Sequence, residues 1–230
     1  MIKKTISVIC SVVMACGLYF SFAPYHHADS ATKRQAFDAK PTYAKQAQPA
    51  HITTSEDHVA VMRLFVRYAN EWYYTGHAFL TIQNISDKPI QVGHLTHIQP
   101  NTTVSIATRD NKYHAGVHYN AELWFVGKLN LEAYEERISI AKPITQTELD
   151  ALSTYIVQND DYRNLATNCV TFASGGWVAA GGEPLFTGVY ADIPWILRLS
   201  IEQLPDHRIN EVIPYDYLPV DAHGNPYRKE

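Results

Sequence analysis

The chain has 230 residues, of which 46% are hydrophobic and 18% are charged, and its formal net charge is -4. This length and composition fit one folded domain with tails, and they exclude an integral membrane bundle. The mild acidity provides no basic surface for DNA or RNA, so we expect no nucleic-acid partner.

The amino terminus has the build of a secretory signal. Lys3 and Lys4 precede an apolar run over residues 6–23, after which the sequence becomes polar. Because this order is typical of export signals, we expect a signal peptide at residues 1–28 and a secreted, cell-surface or periplasmic protein. Two alternatives stay open: an uncleaved membrane anchor, or a lipid tether at Cys16, which ends the lipobox-like "VMAC".

The composition changes twice more along the chain. Residues 29–57 contain almost no large aliphatic side chains. Such a segment buries too little apolar surface to offset the entropy of ordering, so it predicts a flexible spacer. We expect the folded domain at residues 58–213, followed at residues 214–230 by a tail rich in Pro, Tyr and charge.

The first half of the domain is predicted to form strands. Apolar residues alternate with polar or small ones in "HVAVMRLFVRYA" (58–69), which favours a strand. The stretches "GHAFLTIQN" (76–84) and "PIQVGHLTHI" (89–98) flank the turn-rich "ISDK", so they predict an antiparallel hairpin. Further strands are predicted in "TTVSIATRD" (102–110), "GVHYNAELWFVG" (116–127) and "ERISIAK" (136–142).

Helical signals come later in the chain. Thr145 and Glu148 have the spacing of a capping box, which predicts a helix over residues 146–159. A helix is also predicted in "ADIPWILRLSIEQL" (191–204), with Asp192 as its cap and Pro194 in its first turn. Because the strands precede the helices, the fold class is predicted to be α+β.

A third helix is predicted between these two, and it carries a cysteine. Asn168 is an acceptable N-cap, which places Cys169 in the first turn, and the glycines at 181 and 182 would end the helix. If the signal peptide is removed, Cys10 and Cys16 leave with it. Exported proteins usually pair their cysteines, so the single remaining thiol is either a buried small hydrophobe or a nucleophile.

The position of Cys169 favours its interpretation as a nucleophile. The unpaired amides and the positive dipole end of a helix stabilise a thiolate. A thiolate in catalysis also needs an imidazole to carry its proton. His77 is the candidate, since it opens an apolar strand and follows Gly76, which lets the backbone approach closely.

These residues resemble a known superfamily. "TGHAFLTIQN", followed about ninety residues later by "NCVTFA", is similar to the permuted branch of the papain-like thiol hydrolases, which includes NlpC-type cell-wall peptidases and lecithin retinol acyltransferase-like enzymes. The resemblance implies an antiparallel sheet packed against a C-terminal helix that bears the cysteine. It also implies Cys169 as nucleophile and His77 as base, with the Cys169 amide contributing to an oxyanion hole.

Four residues are candidates for the group that orients the imidazole. The resemblance places it on the strand after the histidine strand, and a hairpin would bring His94 or His97 opposite His77. Asn120 and Glu122 are rivals from a later strand. Glu122 is preferred because a carboxylate would hold the imidazole tautomer and stabilise an imidazolium.

No metal or cofactor is expected. His94 with His97, and His114 with His118, have spacings that do not bring three or four ligands to one point. We therefore expect a secreted cysteine peptidase or amidase that acts on peptide or peptidoglycan-stem amides. The alternatives are a lipid acyl hydrolase or acyltransferase, a noncatalytic cell-surface binding module, and a toxin with the same chemistry.

Overall fold

The computed structural model describes residues 52–67, 76–110, 115–122, 137–162, 167–188, 192–212 and 220–221. The predicted signal peptide, and most of the predicted spacer and tail, lie outside these ranges. Within them, none of the helices has the length and apolar character needed to cross a membrane.

The main element is a seven-stranded sheet. A separate two-stranded sheet is formed by a segment inserted between two strands of the large sheet. The strands are β1 (His58–Arg67), β2 (His77–Asn84), β3 (Ile90–Val92), β4 (Leu95–Ile98), β5 (Thr103–Asp110), β6 (Ala115–Tyr119), β7 (Ile138–Thr145), β8 (Arg208–Ile209) and β9 (Val220–Asp221). The large sheet has the order β8-β7-β1-β2-β5-β6-β9, and its strand pairs are antiparallel.

The alternation in the sequence places one set of strand residues in the core. Met62 and Leu64 of β1 and Leu80 and Ile82 of β2 are fully buried, and their side chains share one face of the sheet because residues two apart point the same way. They belong to one hydrophobic cluster with residues of all the helices, among them Leu149. The core therefore lies between the sheet and the helices.

The predicted hairpin of residues 76–84 with 89–98 is wrong. β2 pairs with β1 and β5, while β3 and β4 pair with each other. Local hydrogen bonds explain the difference: the Asn84 side chain donates to the carbonyls of Lys88 and Ile98, and Gly93, with a φ of 58°, reverses the chain between β3 and β4. This compact excursion leaves the edge of β2 free to pair with β5.

The helices are α1 (Gln146–Gln158), α2 (Cys169–Ala179) and α3 (Pro194–Glu202), which makes the fold α+β. The predicted capping box of α1 is confirmed, because the Thr145 side chain accepts from the Glu148 amide and the Glu148 side chain accepts from the Thr145 amide. The predicted N-cap of α2, Asn168, is also confirmed.

The predicted cap of α3 is wrong. The N-cap position is occupied by Ile193, which makes no side-chain cap hydrogen bond. The Asp192 carboxylate instead accepts hydrogen bonds from Thr171 Oγ1, at 2.6 Å, and from Thr187 Oγ1. Asp192 therefore joins the start of α3 to the first turn of α2.

Two glycines inside α2 allow the helix to pack closely. A Cβ at Gly176 would stand 2.7 Å from Leu80 Cδ1 of β2, and a Cβ at Gly175 would overlap the ring of Tyr155 in α1. The cost of glycine to helix propensity, about 1 kcal/mol each, is offset by this close approach to sheet and helix. These contacts hold α2 closely against β2 and α1.

Candidate active site

Cys169 is the first residue of α2, and the local cap determines its surroundings. Asn168 Oδ1 accepts from the amides of Val170, at 2.8 Å, and Thr171, at 3.1 Å, while the Phe172 amide bonds to the Asn168 carbonyl. The Cys169 amide is thus the first-turn donor that the cap does not use. The residue as a whole is 9% exposed, so the thiol has limited access to solvent.

His77 is the first residue of β2, and its imidazole lies close enough to the Cys169 thiol for the two groups to shift each other's pKa. The preceding Gly76 has a φ of 77°, and a Cβ there would overlap the Arg67 carbonyl and press against Pro194. A larger residue at 76 would therefore push the start of β2 away from its neighbours. The side chain of His77 keeps 17% of its surface exposed.

Glu122 holds the other side of the imidazole. Its Oε1 lies 2.8 Å from His77 Nε2, and its side chain is 1% exposed. With Nε2 bonded to Glu122, Nδ1 is the ring nitrogen that remains for the thiol. The structure therefore places Cys169, His77 and Glu122 in one series of interacting side chains.

A local reversal after β6 brings Glu122 to this position. The predicted strand over residues 116–127 is wrong in its end, because β6 stops at Tyr119 and Asn120 has a φ of 57°. Asn120 tolerates this left-handed conformation, and its Oδ1 accepts from the Ser105 amide at 3.2 Å. Residues 123–127 lie outside the described part of the chain.

The remaining candidates for orienting the imidazole occupy other positions. His94 lies in the turn between β3 and β4, where its backbone amide donates to the Tyr119 hydroxyl at 3.0 Å, and His97 lies in β4. Both are exposed. The register that would bring them opposite His77 is not formed, because β2 pairs with β1 and β5 instead. The Asn120 side chain is used at the end of β6, where it accepts a hydrogen bond from the Ser105 amide of β5.

Sequence reasoning missed one charged residue in this cluster. The Arg109 guanidinium forms an ion pair with Glu122 Oε1, the same oxygen that bonds to His77. No local signal in the sequence pointed to Arg109, because its approach to His77 depends on the pairing of β5 with β2. The β2–β5 register pairs Leu80 with Ile106, and its extension places Arg109 across from His77.

The electrostatics of the cluster favour a charged pair. Burial acts to lower the pKa of His77, but attraction by Glu122 and by the Cys169 thiolate outweighs it and raises that pKa to about 9. Burial also acts to raise the pKa of Cys169, yet the positive charge of His77, its hydrogen bond and the Ala78 amide lower it. The cluster therefore shifts both groups toward their charged forms, a thiolate on Cys169 and an imidazolium on His77.

The described residues do not bring three or more histidine, cysteine, aspartate or glutamate side chains together in a way that could hold a metal ion. His114, one of the histidines considered from the sequence, lies outside the described residues. His118 is buried in β6 opposite Ala107.

This arrangement has the parts needed for nucleophilic chemistry. A thiolate can attack an electrophilic carbon, the imidazolium can return a proton to a leaving group, and a carboxylate keeps the ring oriented. The Cys169 amide points from the start of α2, where a developing oxyanion would be stabilised.

Comparisons of the chain with protein-family models, with curated proteins and with solved structures find no match.

Proposed function

We propose that this protein is an exported cysteine hydrolase that cleaves an amide bond, with a circularly permuted papain-like arrangement. The observation that carries the proposal is the series from Cys169 at the start of α2, through the neighbouring His77, to Glu122, whose Oε1 lies 2.8 Å from His77 Nε2. The histidine strand precedes the cysteine helix in the chain, as in the permuted thiol hydrolases that the sequence resembles.

In the first half of the proposed reaction, the Cys169 thiolate attacks the carbonyl carbon and a C–S bond forms. The carbonyl oxygen becomes an oxyanion, which the Cys169 amide stabilises. His77 then gives its proton to the leaving nitrogen as the C–N bond breaks. The products of this half are a free amine and a thioester on Cys169.

In the second half, the now neutral His77 takes a proton from water, and the water oxygen attacks the thioester carbonyl. A C–O bond forms, the C–S bond breaks, and a carboxylic acid leaves. Cys169 returns as a thiolate and His77 as an imidazolium, so Glu122 keeps its charge throughout while it holds the ring.

The leading substrates are peptide or peptidoglycan-stem amides. The support for this class is the amino-terminal segment, which has the features of an export signal and would deliver the protein to the cell-wall compartment.

Lipid amides or esters are the second candidate class, and exposed apolar side chains near the site favour them. Trp195 is 46% exposed and Leu199, one turn later on α3, is 39% exposed. The neighbouring Pro194 lies against Gly76, directly before His77. An exposed apolar surface on the helix that begins beside Gly76 suits an acyl chain.

The first experiment tests whether Cys169 is activated. Iodoacetamide near neutral pH should label Cys169 in the folded protein at least about tenfold faster than in the urea-unfolded chain, because a thiolate reacts and a thiol does not. His77→Ala should remove this advantage. Equal labelling rates for folded and unfolded protein would rule out the mechanism and favour a noncatalytic binding module.

The second experiment identifies the substrate class. The purified protein is incubated with peptidoglycan and, separately, with a lipid extract, with Cys169→Ala as the blank. New amino groups released from peptidoglycan would support the amidase. Fatty acid released from lipid would support the second class, and no product from either would count against both.

A further inference from the structure

Two basic side chains contact the same buried carboxylate oxygen at the edge of the candidate active site. His77 Nε2 lies 2.8 Å from Glu122 Oε1, and the Arg109 guanidinium is paired with the same atom. The Glu122 side chain is 1% exposed, whereas that of Arg109 is 25% exposed. The carboxylate is therefore neutralised from within the protein, because water has little access to it.

Among the described side chains of the cluster, Arg109 supplies the positive charge that balances Glu122 when Cys169 is a thiolate. The thiolate and Glu122 are negative, and His77 is a single positive charge between them. Without Arg109 the cluster would bury a net negative charge, and Glu122 already opposes ionisation of Cys169. In such a cluster a proton would return to the thiolate before it went to the carboxylate, because the thiolate is the more basic of the two groups.

We propose that Arg109 is a positioning residue that cancels the charge of Glu122, so that this carboxylate can orient His77 without repelling the Cys169 thiolate. This inference rests on the proposed function for its catalytic meaning. The effect of Arg109 on the charge of Glu122 follows from their ion pair and does not depend on the proposed function. Arg109 does not have to touch the substrate, since it acts through Glu122.

The other charged or titratable groups around the cluster are few among the described residues. Arg67 of β1 pairs in register with His77. His118 of β6 pairs with Ala107, two residues before Arg109 in β5. Both have side chains that can carry positive charge. Asp221 of β9 pairs in register with His118. Glu122 is the negative group that forms an ion pair with Arg109, so combining substitutions at both residues tests whether a change in Cys169 ionisation acts through Glu122.

The test measures the ionisation of Cys169 with iodoacetamide as the probe. The alkylation rate is followed as a function of pH for the full-length protein and for Arg109→Met. We expect the pH midpoint of alkylation to move upward by about one unit or more in Arg109→Met. At a pH below both midpoints this is a loss of about tenfold in rate, because each unit changes the thiolate fraction about tenfold.

Two further variants separate this role from a structural one. Arg109→Lys keeps the charge and should keep the midpoint close to that of the native protein. Arg109→Met combined with Glu122→Gln removes both charges and should bring the midpoint back toward the native value. A purely structural role for Arg109 would lower the rates at every pH, would not move the midpoint, and would not be rescued by the second substitution.

The proposal is overturned if the midpoint in Arg109→Met is unchanged or lower, or if the double variant stays as high as the single one. Circular dichroism of each variant shows whether it is folded, and Arg109→Lys and the double variant still decide the question if Arg109→Met is not. Because alkylation needs no natural substrate, a failure to find hydrolysis would count against the proposed function and leave this result standing.

Discussion

At the residue scale, the ionisation of three side chains defines the candidate site. Cys169 and His77 favour each other's charged forms, and Glu122 supports the imidazolium at 2.8 Å while opposing the thiolate. Because the groups interact strongly, their titration belongs to the cluster and not to any one residue. The proposed hydrolase should be active between the pH at which the thiolate forms and the pH at which His77 loses its proton, at about 9.

The substitution Glu122→Gln tests the alkaline side of this range. The new amide would preserve the shape of the side chain and an acceptor oxygen but not the charge, so the pKa of His77 should fall from about 9. The activity of the variant should then be lost at lower pH, by about tenfold for each unit by which that pKa drops below the assay pH. The measurement is the pH dependence of kcat/KM, or of the His77 ring signals by NMR. An unchanged alkaline limit would show that the Glu122 charge does not support the imidazolium.

At the element scale, the start of α1 couples a helix cap to an ion pair. Glu148 Oε2 accepts from the Thr145 amide at 2.8 Å, and Glu148 Oε1 is paired with Lys142 of β7. Burial acts to raise the pKa of Glu148, but the Lys142 hydrogen bond, the Thr145 amide and the Thr145 hydroxyl lower it. Glu148 therefore stabilises the folded chain in its ionised form.

The substitution Glu148→Gln should show this as a pH-dependent change in stability. Because the pKa is lowered in the folded state, the ionised carboxylate contributes its stability above the unfolded value of 4.5, and this is lost as the pH falls through the folded value. Glutamine can keep the cap, so we expect a loss of about 1 kcal/mol near neutral pH from the missing charge. Urea unfolding should show the difference shrinking in acid. An equal difference at neutral and acid pH would contradict the assignment.

At the scale of the whole molecule, a buried ion pair ties the segment after α3 back to the sheet. Glu211 is 1% exposed, and its Oε1 accepts from Arg63 Nε of β1 at 3.1 Å. Its Oε2 accepts from Ser139 of β7, and its carbonyl accepts from Arg137 Nε at 2.7 Å. This cluster connects parts of the chain that are distant in sequence, so it stabilises the fold as a unit.

Removal of the Glu211 side chain should therefore be costly. In Glu211→Ala, the largely buried Arg63 guanidinium loses its anion, and we expect the free energy of unfolding to fall by roughly 3–5 kcal/mol. Glu202→Ala is the matched control, because Glu202 pairs with Arg198 one turn away on the surface of α3. That pair should contribute less than about 1 kcal/mol. Similar small losses for both variants in urea unfolding would show that the Glu211 cluster does not hold the fold together.

The local features of the chain were predictable from sequence, because short-range physics decides them. Thr145 with Glu148 begins α1, Asn168 caps the helix that starts with Cys169, and the alternation of β1 and β2 identifies their buried faces. The identity of Cys169 and His77 as a candidate pair rested on such local signals, together with a resemblance to known thiol hydrolases.

Long-range geometry decided the rest. Which strands flank β2 depended on the hydrogen bonds that Asn84 makes across the β3–β4 excursion, and the cap of α3 was lost because Asp192 bonds to Thr171 and Thr187. The approach of Glu122 and Arg109 to His77 required the β2–β5–β6 register and the left-handed turn at Asn120. The sequence by itself determines the local structure that residues close together in the chain dictate, such as helix caps and strand alternation. Contacts between residues far apart in the chain depend on strand pairing, which no local signal specifies.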